Sequence, residues 1–335
     1  MKNGLPLVSV IIPTRPGLAE IQAVNAIRAL DYPREKLEVL VARGRQPSVQ
    51  RNAALQAARG ELIYFLDDDA RPQPGNLQQA VGHFRRPEVQ MVGGPNLCPP
   101  DAPPLEQVFA VVLSSWLAFG PSRARYAPVG GLRESSEKEL ILCNLLARRD
   151  TLKELGGFDE ALYPNEENAL MDEIQKRGGK LLYDPQFIVH RRPRSTVKAF
   201  FTMLLTYGRG RAEQFRLHPT LGSALNFAPP LFCVYLLLLP WLNMALSRGA
   251  FGTQRDLTSD WIALNLPLWV YFLVLIMQTG WSASQKGVSK SLAALPLVYC
   301  ANILYGLGFW HGLFTKLKAP GPGPSAAVTV ETLPV

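Results

Sequence analysis

Only four of the 335 residues are cysteine, at positions 98, 143, 233 and 300, and no two form a Cys-x-x-Cys pair. That scarcity excludes a disulfide-stapled scaffold and a cysteine-built zinc site. The first ten residues, MKNGLPLVSV, have neither the long apolar core nor the small-residue cleavage site of a secretory leader, so the polar part of the chain is expected to remain in the cytoplasm. There is no internal repeat, and low complexity is confined to a Pro- and Ala-rich tail after Ala319. Charge is scarce in one region. Between Asn226 and Thr315 the runs Ala228–Leu246, Trp261–Gly280 and Leu292–Phe314 contain no Asp, Glu, Lys or Arg. Each is long enough as a helix to cross a hydrocarbon layer about 30 Å thick. A soluble fold carrying three such runs would have too little polar surface.

What is present divides the chain into a charged portion, residues 1–215, a membrane region of about three transmembrane helices, residues 216–318, and a flexible tail, residues 319–335. The net charge of +8 suits an anionic partner. Membrane headgroups are favoured over nucleic acid, because the span from Arg191 to Arg216 holds seven Lys or Arg against one acid, Glu213, next to the first apolar run. If all three runs cross, the carboxyl terminus lies outside. The basic residues do not decide the matter: Arg248 and Arg255 would be outside, Lys286 and Lys290 inside, Lys316 and Lys318 outside. A re-entrant third segment would reverse the tail.

Hydrophobic patterning in the charged portion alternates strand and helix. Val8–Ile12, Leu37–Val41 and Leu62–Leu66 read as buried parallel strands. Leu18–Leu30 carries Ile21, Val24, Ile27 and Leu30 on one helical face, and Ser48 is placed to cap a second helix that ends at Gly60. The pattern predicts an open, doubly wound α/β sheet, with ligands beyond the carboxyl ends of the strands. Further strands are expected at Met91–Gly94, Leu181–Tyr183 and Phe187–His190, and a helix at Glu166–Arg177 capped by Asn165. Ser195 is placed to cap an amphipathic helix carrying Phe200 and Leu204. Val108–Phe119 suits a membrane surface, an acceptor groove or the domain core equally.

The third strand ends in Asp67-Asp68-Asp69. Carboxylates at the tip of a buried strand offer hard oxygen ligands to a divalent cation that takes phosphate oxygens as its other ligands. Asp67 and Asp69 fit that need, whereas Asp68 points to the opposite side of the pleat, towards a ribose.

The segments Val8-Ser9-Val10-Ile11-Ile12-Pro13-Thr14, Gln50-Arg51-Asn52-Ala53-Ala54, Ala58-Arg59-Gly60-Glu61, Leu66-Asp67-Asp68-Asp69-Ala70-Arg71-Pro72 and Gly156-Gly157-Phe158-Asp159-Glu160 together resemble the family 2 glycosyltransferases, which have the GT-A fold. Arg192-Pro193-Arg194-Ser195-Thr196 and Tyr207-Gly208-Arg209-Gly210-Arg211 resemble the branch with succinoglycan-type exopolysaccharide glucosyltransferases. The resemblance implies a nucleotide diphosphate sugar as donor, Mg²⁺ or Mn²⁺ held by Asp67 and Asp69, and a nucleoside held with help from Pro13, Thr14, Arg51, Asn52 and Asp68. His190 matches a position that often approaches the metal or diphosphate. Arg194, Arg209 and Arg211 would neutralise the leaving diphosphate or a lipid phosphate. The family's base is usually the Asp of a Glu-Asp pair that begins a helix. Glu166-Glu167 stands there in this chain, which makes Glu167 the first candidate and Glu166 the second.

Two departures bear on function. The Gln-x-x-Arg-Trp motif of processive relatives is absent, which argues against a cellulose- or chitin-type polymerase. The Asp-Asp-Gly-Ser segment after the second strand is replaced by Ala42-Arg43-Gly44-Arg45, so the acid that reads the base in relatives is lost. The expectation is an inverting, multi-pass enzyme of the inner (plasma) membrane that moves a sugar to a polyprenyl-diphosphate-linked saccharide, with a polysaccharide assembly complex as a candidate partner. The alternatives are transfer to a polyprenyl phosphate and a catalytically silent membrane subunit.

Overall fold

A computed structural model describes residues 4–160, 166–217, 219, 221–248, 257–317 and 328–334. The first strands are apolar on both alternating sets of side chains, as strands covered on two faces must be. They form β1 (Val8–Thr14), α1 (Gln22–Ile27), β2 (Leu37–Arg43), α2 (Pro47–Ala57) and β3 (Leu62–Leu66). β1 lies between β2 and β3, parallel to both. Val8, Val10, Ile12, Val39, Val41 and Tyr64 enter one core, and Ile11, Leu40, Ile63 and Phe65 enter the other. The helix expected over Leu18–Leu30 is shorter, because Ile21 at its N-cap has no side-chain acceptor. Likewise α2 begins at Pro47 after Gln46 rather than being capped by Ser48. A proline in the first turn has no N–H to satisfy.

The chain continues through β4 (Arg71–Pro72), α3 (Asn76–His83), β5 (Val89–Gly93), β6 (Asn96–Leu97), α4 (Pro104–Leu113), α5 (Trp116–Phe119), β7 (Arg133–Glu134), β8 (Asn144–Arg148), α6 (Arg149–Glu154), α7 (Glu166–Lys176), β9 (Lys180–Tyr183) and β10 (Val189–His190). Asn165, the expected cap of α7, lies outside the described residues. After these come α8 (Val197–Leu217), α9 (Ala228–Ser247), α10 (Leu257–Lys286), α11 (Val288–Phe314) and β11 (Thr329–Leu333). Thr196 rather than Ser195 caps α8, its hydroxyl accepting from the Ala199 amide at 3.2 Å.

Eight strands form a mixed sheet in the order β11-β2-β1-β3-β8-β5-β9-β7, and β4-β10-β6 form a small second sheet. This is the Rossmann-like α/β architecture that the patterning predicts. The chain falls into two compact units. One is Met1–Ala102, Pro121–Pro193 and Lys318–Val335, and the other is Pro103–Gly120 and Arg194–Leu317. The helical unit thus takes in α4 and α5, earlier in the chain than the residue-216 boundary that composition suggests. Its helices α9, α10 and α11 are each long and apolar enough to cross a membrane, as expected of a multi-pass membrane protein.

The tail is where expectation needs correcting. Thr329–Leu333 is an edge strand, antiparallel to β2, with Val330 opposite Ala42 and Glu331 opposite Val41. Val328 and Val330 pack on one core and Leu333 on the other. A tail dominated by Pro, Gly and Ala conceals this short period-two pattern.

Ala58-Arg59-Gly60-Glu61, which patterning reads as a helix stop, is a lock across the base of the sheet. Ser9 Oγ donates to Glu38 Oε2 at 2.5 Å, and the Arg59 amide and Nε donate to the same carboxylate at 2.9 and 2.6 Å. Burial pushes the Glu38 carboxyl up, but these donors outweigh it and hold the pKa below its ordinary value. The Gly60 amide donates to Ser9 Oγ at 2.8 Å, and a Cβ at Gly60 would stand 2.4 Å from the Ser9 nitrogen. Gly60→Ala is therefore expected to lower stability by about 1–3 kcal/mol, the usual cost of overpacking, measured as a fall in melting temperature in detergent. Unchanged melting would contradict the lock.

Candidate active site

β3 is fully buried between β1 and β8, so its carboxyl end delivers the three acids to one edge of the sheet with little freedom. Arg191, which follows directly on β10, reaches between two of them. Its Nη1 lies 2.9 Å from Asp67 Oδ2 and its Nε 2.5 Å from Asp69 Oδ1. Burial raises the pKa of Asp69, a tendency that Arg191 opposes and Asp67 and Asp68 reinforce. Burial would lower the pKa of Arg191, but the surrounding anions more than offset it. Asp68, in the turn after β3, accepts from Thr14 Oγ1 at 2.7 Å. Gln50 Nε2 donates to the carbonyls of Thr14 and Ala42 at 2.8 and 2.6 Å, which ties the ends of β1 and β2 together beside Pro13.

A second guanidinium comes from α2. Arg51 is buried, with Nη1 2.9 Å from Glu166 Oε1 and Nη2 3.7 Å from Asp67 Oδ1. It is no solvated helix face. Burial, with the charge of Glu167 adding to it, raises the Glu166 carboxyl to about 7, although Arg51 opposes the shift. Glu167 is half-buried in the first turn of α7, so of the two acids it is the more accessible. Asn52 holds the glycine-rich segment: its Nδ2 donates to the Phe158 carbonyl at 2.8 Å and to Glu160 Oε1 at 2.9 Å, and its Oδ1 accepts from the Phe158 amide at 2.8 Å. A Cβ at Gly157, where φ is +81°, would stand 2.4 Å from that Oδ1.

Asp67 and Asp69 offer only carboxylate oxygens, the donor set hard divalent cations take, and a guanidinium already balances their charge. Among the described residues no group of three His, Cys, Asp or Glu stands ready for a metal. An ion held here would draw its other oxygens from phosphate or water, as Mg²⁺ sites commonly do. His190 pairs across from Arg71 in the small sheet, and burial first, then Arg71, lower its pKa. The next residue, Arg191, is the one that pairs with Asp67 and Asp69.

Arg194, Arg209 and Arg211 belong to the helical unit. There Arg209 lies 3.4 Å from Glu213, Arg211 Nη1 donates to Gln214 Oε1 at 3.1 Å, and Arg194 is exposed. Where relatives keep a base-reading acid after β2, Arg43 pairs with Glu331 of β11 at 3.0 Å and donates to the Leu18 carbonyl at 2.8 Å. Sequence reading missed Arg191, Gln50 and Glu331. In sequence Arg191 is one of seven basic residues in the stretch up to Arg216, and its signal is its place one residue past a strand. Arg51→Met would leave Glu166 buried without its cation, at an expected cost of about 3–5 kcal/mol at pH 8. The cost should shrink at pH 5.5, where Glu166 takes up a proton instead. Unfolding at the two pH values checks this, and equal losses would contradict the pairing.

The chain matches the family model for glycosyl transferase family 2 over residues 9–105 and that for glycosyl transferase family group 2 over residues 62–283. It is 27% identical over 211 residues to a pre-mycofactocin glycosyltransferase of Mycobacterium tuberculosis, covering 61% of this chain and 41% of that one. It is 24% identical over 209 residues to the succinoglycan biosynthesis protein ExoA of Rhizobium meliloti, covering 62% and 56%. The chain thus matches about two fifths to less than three fifths of the length of these relatives. A mannosyltransferase from Pyrobaculum calidifontis, solved with GDP-Man and Mn²⁺, shares the fold at a TM-score of 0.51 and 19% identity, covering 88% of each chain. Since the family group 2 match takes in more than half of the sequence, including the acids at the tip of β3, the chain belongs to the glycosyl transferase family group 2.

Proposed function

We propose that the protein is an inverting, metal-dependent glycosyltransferase that moves a sugar from a nucleotide diphosphate sugar to a lipid-linked saccharide at the cytoplasmic face of the inner membrane. The observation that carries this reading is the pair Asp67 and Asp69 at the end of a buried strand, bracketed by Arg51 and Arg191. In this reading the mixed-sheet unit is catalytic and the helical unit anchors it beside a membrane-bound acceptor. The mannosyltransferase with bound GDP-Man and Mn²⁺ supports the donor class, and ExoA supports a place in exopolysaccharide or glycoconjugate assembly.

Departure of the sugar leaves negative charge on the nucleoside diphosphate, and electrostatic stabilisation of that charge is commonly the largest catalytic contribution. Asp67 and Asp69 would hold Mg²⁺ or Mn²⁺, which supplies Lewis-acid stabilisation of the diphosphate. Arg191 is placed to exchange its carboxylate partners for diphosphate oxygens, since guanidinium binds either in a bidentate fork. Thr14, Asp68, Pro13 and Asn52 line or position the nucleoside side of the site. Arg194, Arg209 and Arg211 serve phosphate on the acceptor or donor.

An attacking hydroxyl must lose its proton as it meets the anomeric carbon. Glu167 takes that role in this reading, with Glu166, buried and held by Arg51, setting its position. Glu167→Gln is expected to lower kcat at least roughly 100-fold with donor binding unchanged, while Glu166→Gln stays within about tenfold. The measurement is transfer from radiolabelled nucleotide sugars in membranes containing the overexpressed chain, with organic extraction of product. Undiminished transfer by Glu167→Gln would favour an anionic acceptor such as polyprenyl phosphate, which needs no base. No transfer from any donor by the wild type would favour a silent subunit.

A further inference from the structure

Strand β11 constrains the path of the chain through the membrane. Residues 329–333 pair along β2 inside the mixed sheet, and Glu331 is bonded to Arg43 at 3.0 Å. A strand cannot join a sheet from across a hydrocarbon layer, so the chain after α11 is on the same side as β1–β10. Between those two points the number of complete crossings is even. The sequence from Thr315 to Ser325, with Lys316, Lys318, Pro320, Pro322 and Pro324, cannot make up the difference, because it lacks the roughly 20 apolar residues that a crossing takes. An even count leaves at least one of the three apolar helices short of a full crossing.

We infer that α9 and α10 form a two-crossing hairpin and that α11, packed with α8, enters and leaves on the same face of the bilayer without crossing it, its apolar face against lipid. The hairpin is held by reciprocal amide bonds between Asn243 and Asn265, at 3.0 and 3.4 Å, and by Tyr235 Oη donating to the Leu264 carbonyl at 2.9 Å. α11 starts one residue after α10 ends, at Gly287 with φ +94°. Its second half is bound to α8 at backbone contact: a Cβ at Gly308 would stand 2.1 Å from the Leu205 carbonyl, and one at Gly312 2.4 Å from that of Arg209. Arg216 Nη1 donates to the carbonyls of Gly312 and Thr315 at 3.0 and 2.6 Å.

α8 follows directly on the mixed-sheet unit and carries Arg209, Arg211, Glu213 and Arg216 in its last three turns. That stretch lies against residues 308–315 of α11, so a fully crossing α11 would carry it to the far face of the membrane, although α8 leads directly into α9 on the near one. The first turns of α9 meet the same part of α11, Trp310 Nε1 donating to the Pro230 carbonyl at 3.0 Å. The end of α11 is thereby at the level where α9 enters. In its most apolar stretch 39% is buried within the protein, against 11% for the first apolar helix and 17% for the second, which leaves it the least surface for lipid. Leu292, Leu307 and Phe314 are exposed along it, as on an interfacial helix.

The charges agree with this arrangement. Lys286, Lys290, Lys316 and Lys318 all fall on the side of the mixed-sheet unit, while the far connection balances Arg248 and Arg255 against Asp256 and Asp260. The test uses the full chain with a protease site at one of three places: ahead of Met1, between Phe251 and Gly252, or after Lys316. Each variant is digested in right-side-out and inside-out vesicles. The inference expects the first and third sites to be cut in the same vesicle orientation and the second only in the opposite one. Cutting after Lys316 in the orientation that exposes residue 251 would overturn it, as would all three sites on one side. Because insertion after Lys316 could disturb β11, a second variant carries the site after Val335, with the same outcomes. Cross-linking of Ala42→Cys with Val330→Cys by oxidation of membranes reports strand pairing directly; its absence together with a far-side carboxyl terminus would also overturn the inference.

Discussion

The site depends on an alternation of charge. Glu166, Arg51, Asp67, Arg191 and Asp69 stand in order, each ion facing one of opposite sign at 2.5–3.7 Å. Burial raises the pKa of Asp69, Arg191 opposes that shift, and the charges of Asp67 and Asp68 add to it. None of the guanidinium groups would be tolerated in so buried a place without the acids. The arrangement stores positive charge beside carboxylates that suit a cation, so the diphosphate of the proposed donor would meet hydrogen-bond donors already in position. Glu166 shows the tension in this array, since burial lifts its carboxyl to about 7 even with Arg51 alongside.

The fold supplies the rigidity that such an array needs. β3 contributes no exposed residue and is flanked by β1 and β8, so its last peptide units have one path. At the opposite end of the same strands, Ser9, Glu38 and Gly60, with Arg59 reaching in from the surface, close a polar lock. The small sheet brings Arg191 to the acids by way of β10, paired between β4 and β6. Asn52 fastens the segment at Phe158 and Glu160, and Arg51 holds Glu166 at the start of α7.

Much of this is legible in the sequence, for physical reasons that differ by element. Continuous β-branched and aliphatic runs locate β1, β2 and β3 because strands buried on both faces cannot alternate with polar residues. The acids at the end of Leu62–Leu66 follow from that assignment, and the three apolar runs declare membrane helices by composition alone. Caps are less legible: Ser48 and Ser195 look suited, yet Pro47 and Thr196 begin those helices. Long-range pairings are not legible at all. Nothing near Arg191 in sequence shows that it will meet Asp67, more than a hundred residues earlier, and β11 is a five-residue pattern behind a proline-rich stretch. The residue after His190, Arg191, is the one that pairs with the acids, and nothing in its residue type announces that.

The helical unit extends the same economy of close contact, with glycines on α8 and α11 permitting backbone approach that no side chain would allow. Calorimetric titration of nucleoside diphosphates, with and without Mn²⁺, into the purified chain and into the variant Asp67→Asn/Asp69→Asn tests the central claim most directly. The account predicts metal-dependent binding of a nucleoside diphosphate by the wild type and its loss in the double variant. Binding that needs no metal and survives neutralisation of both acids would contradict it.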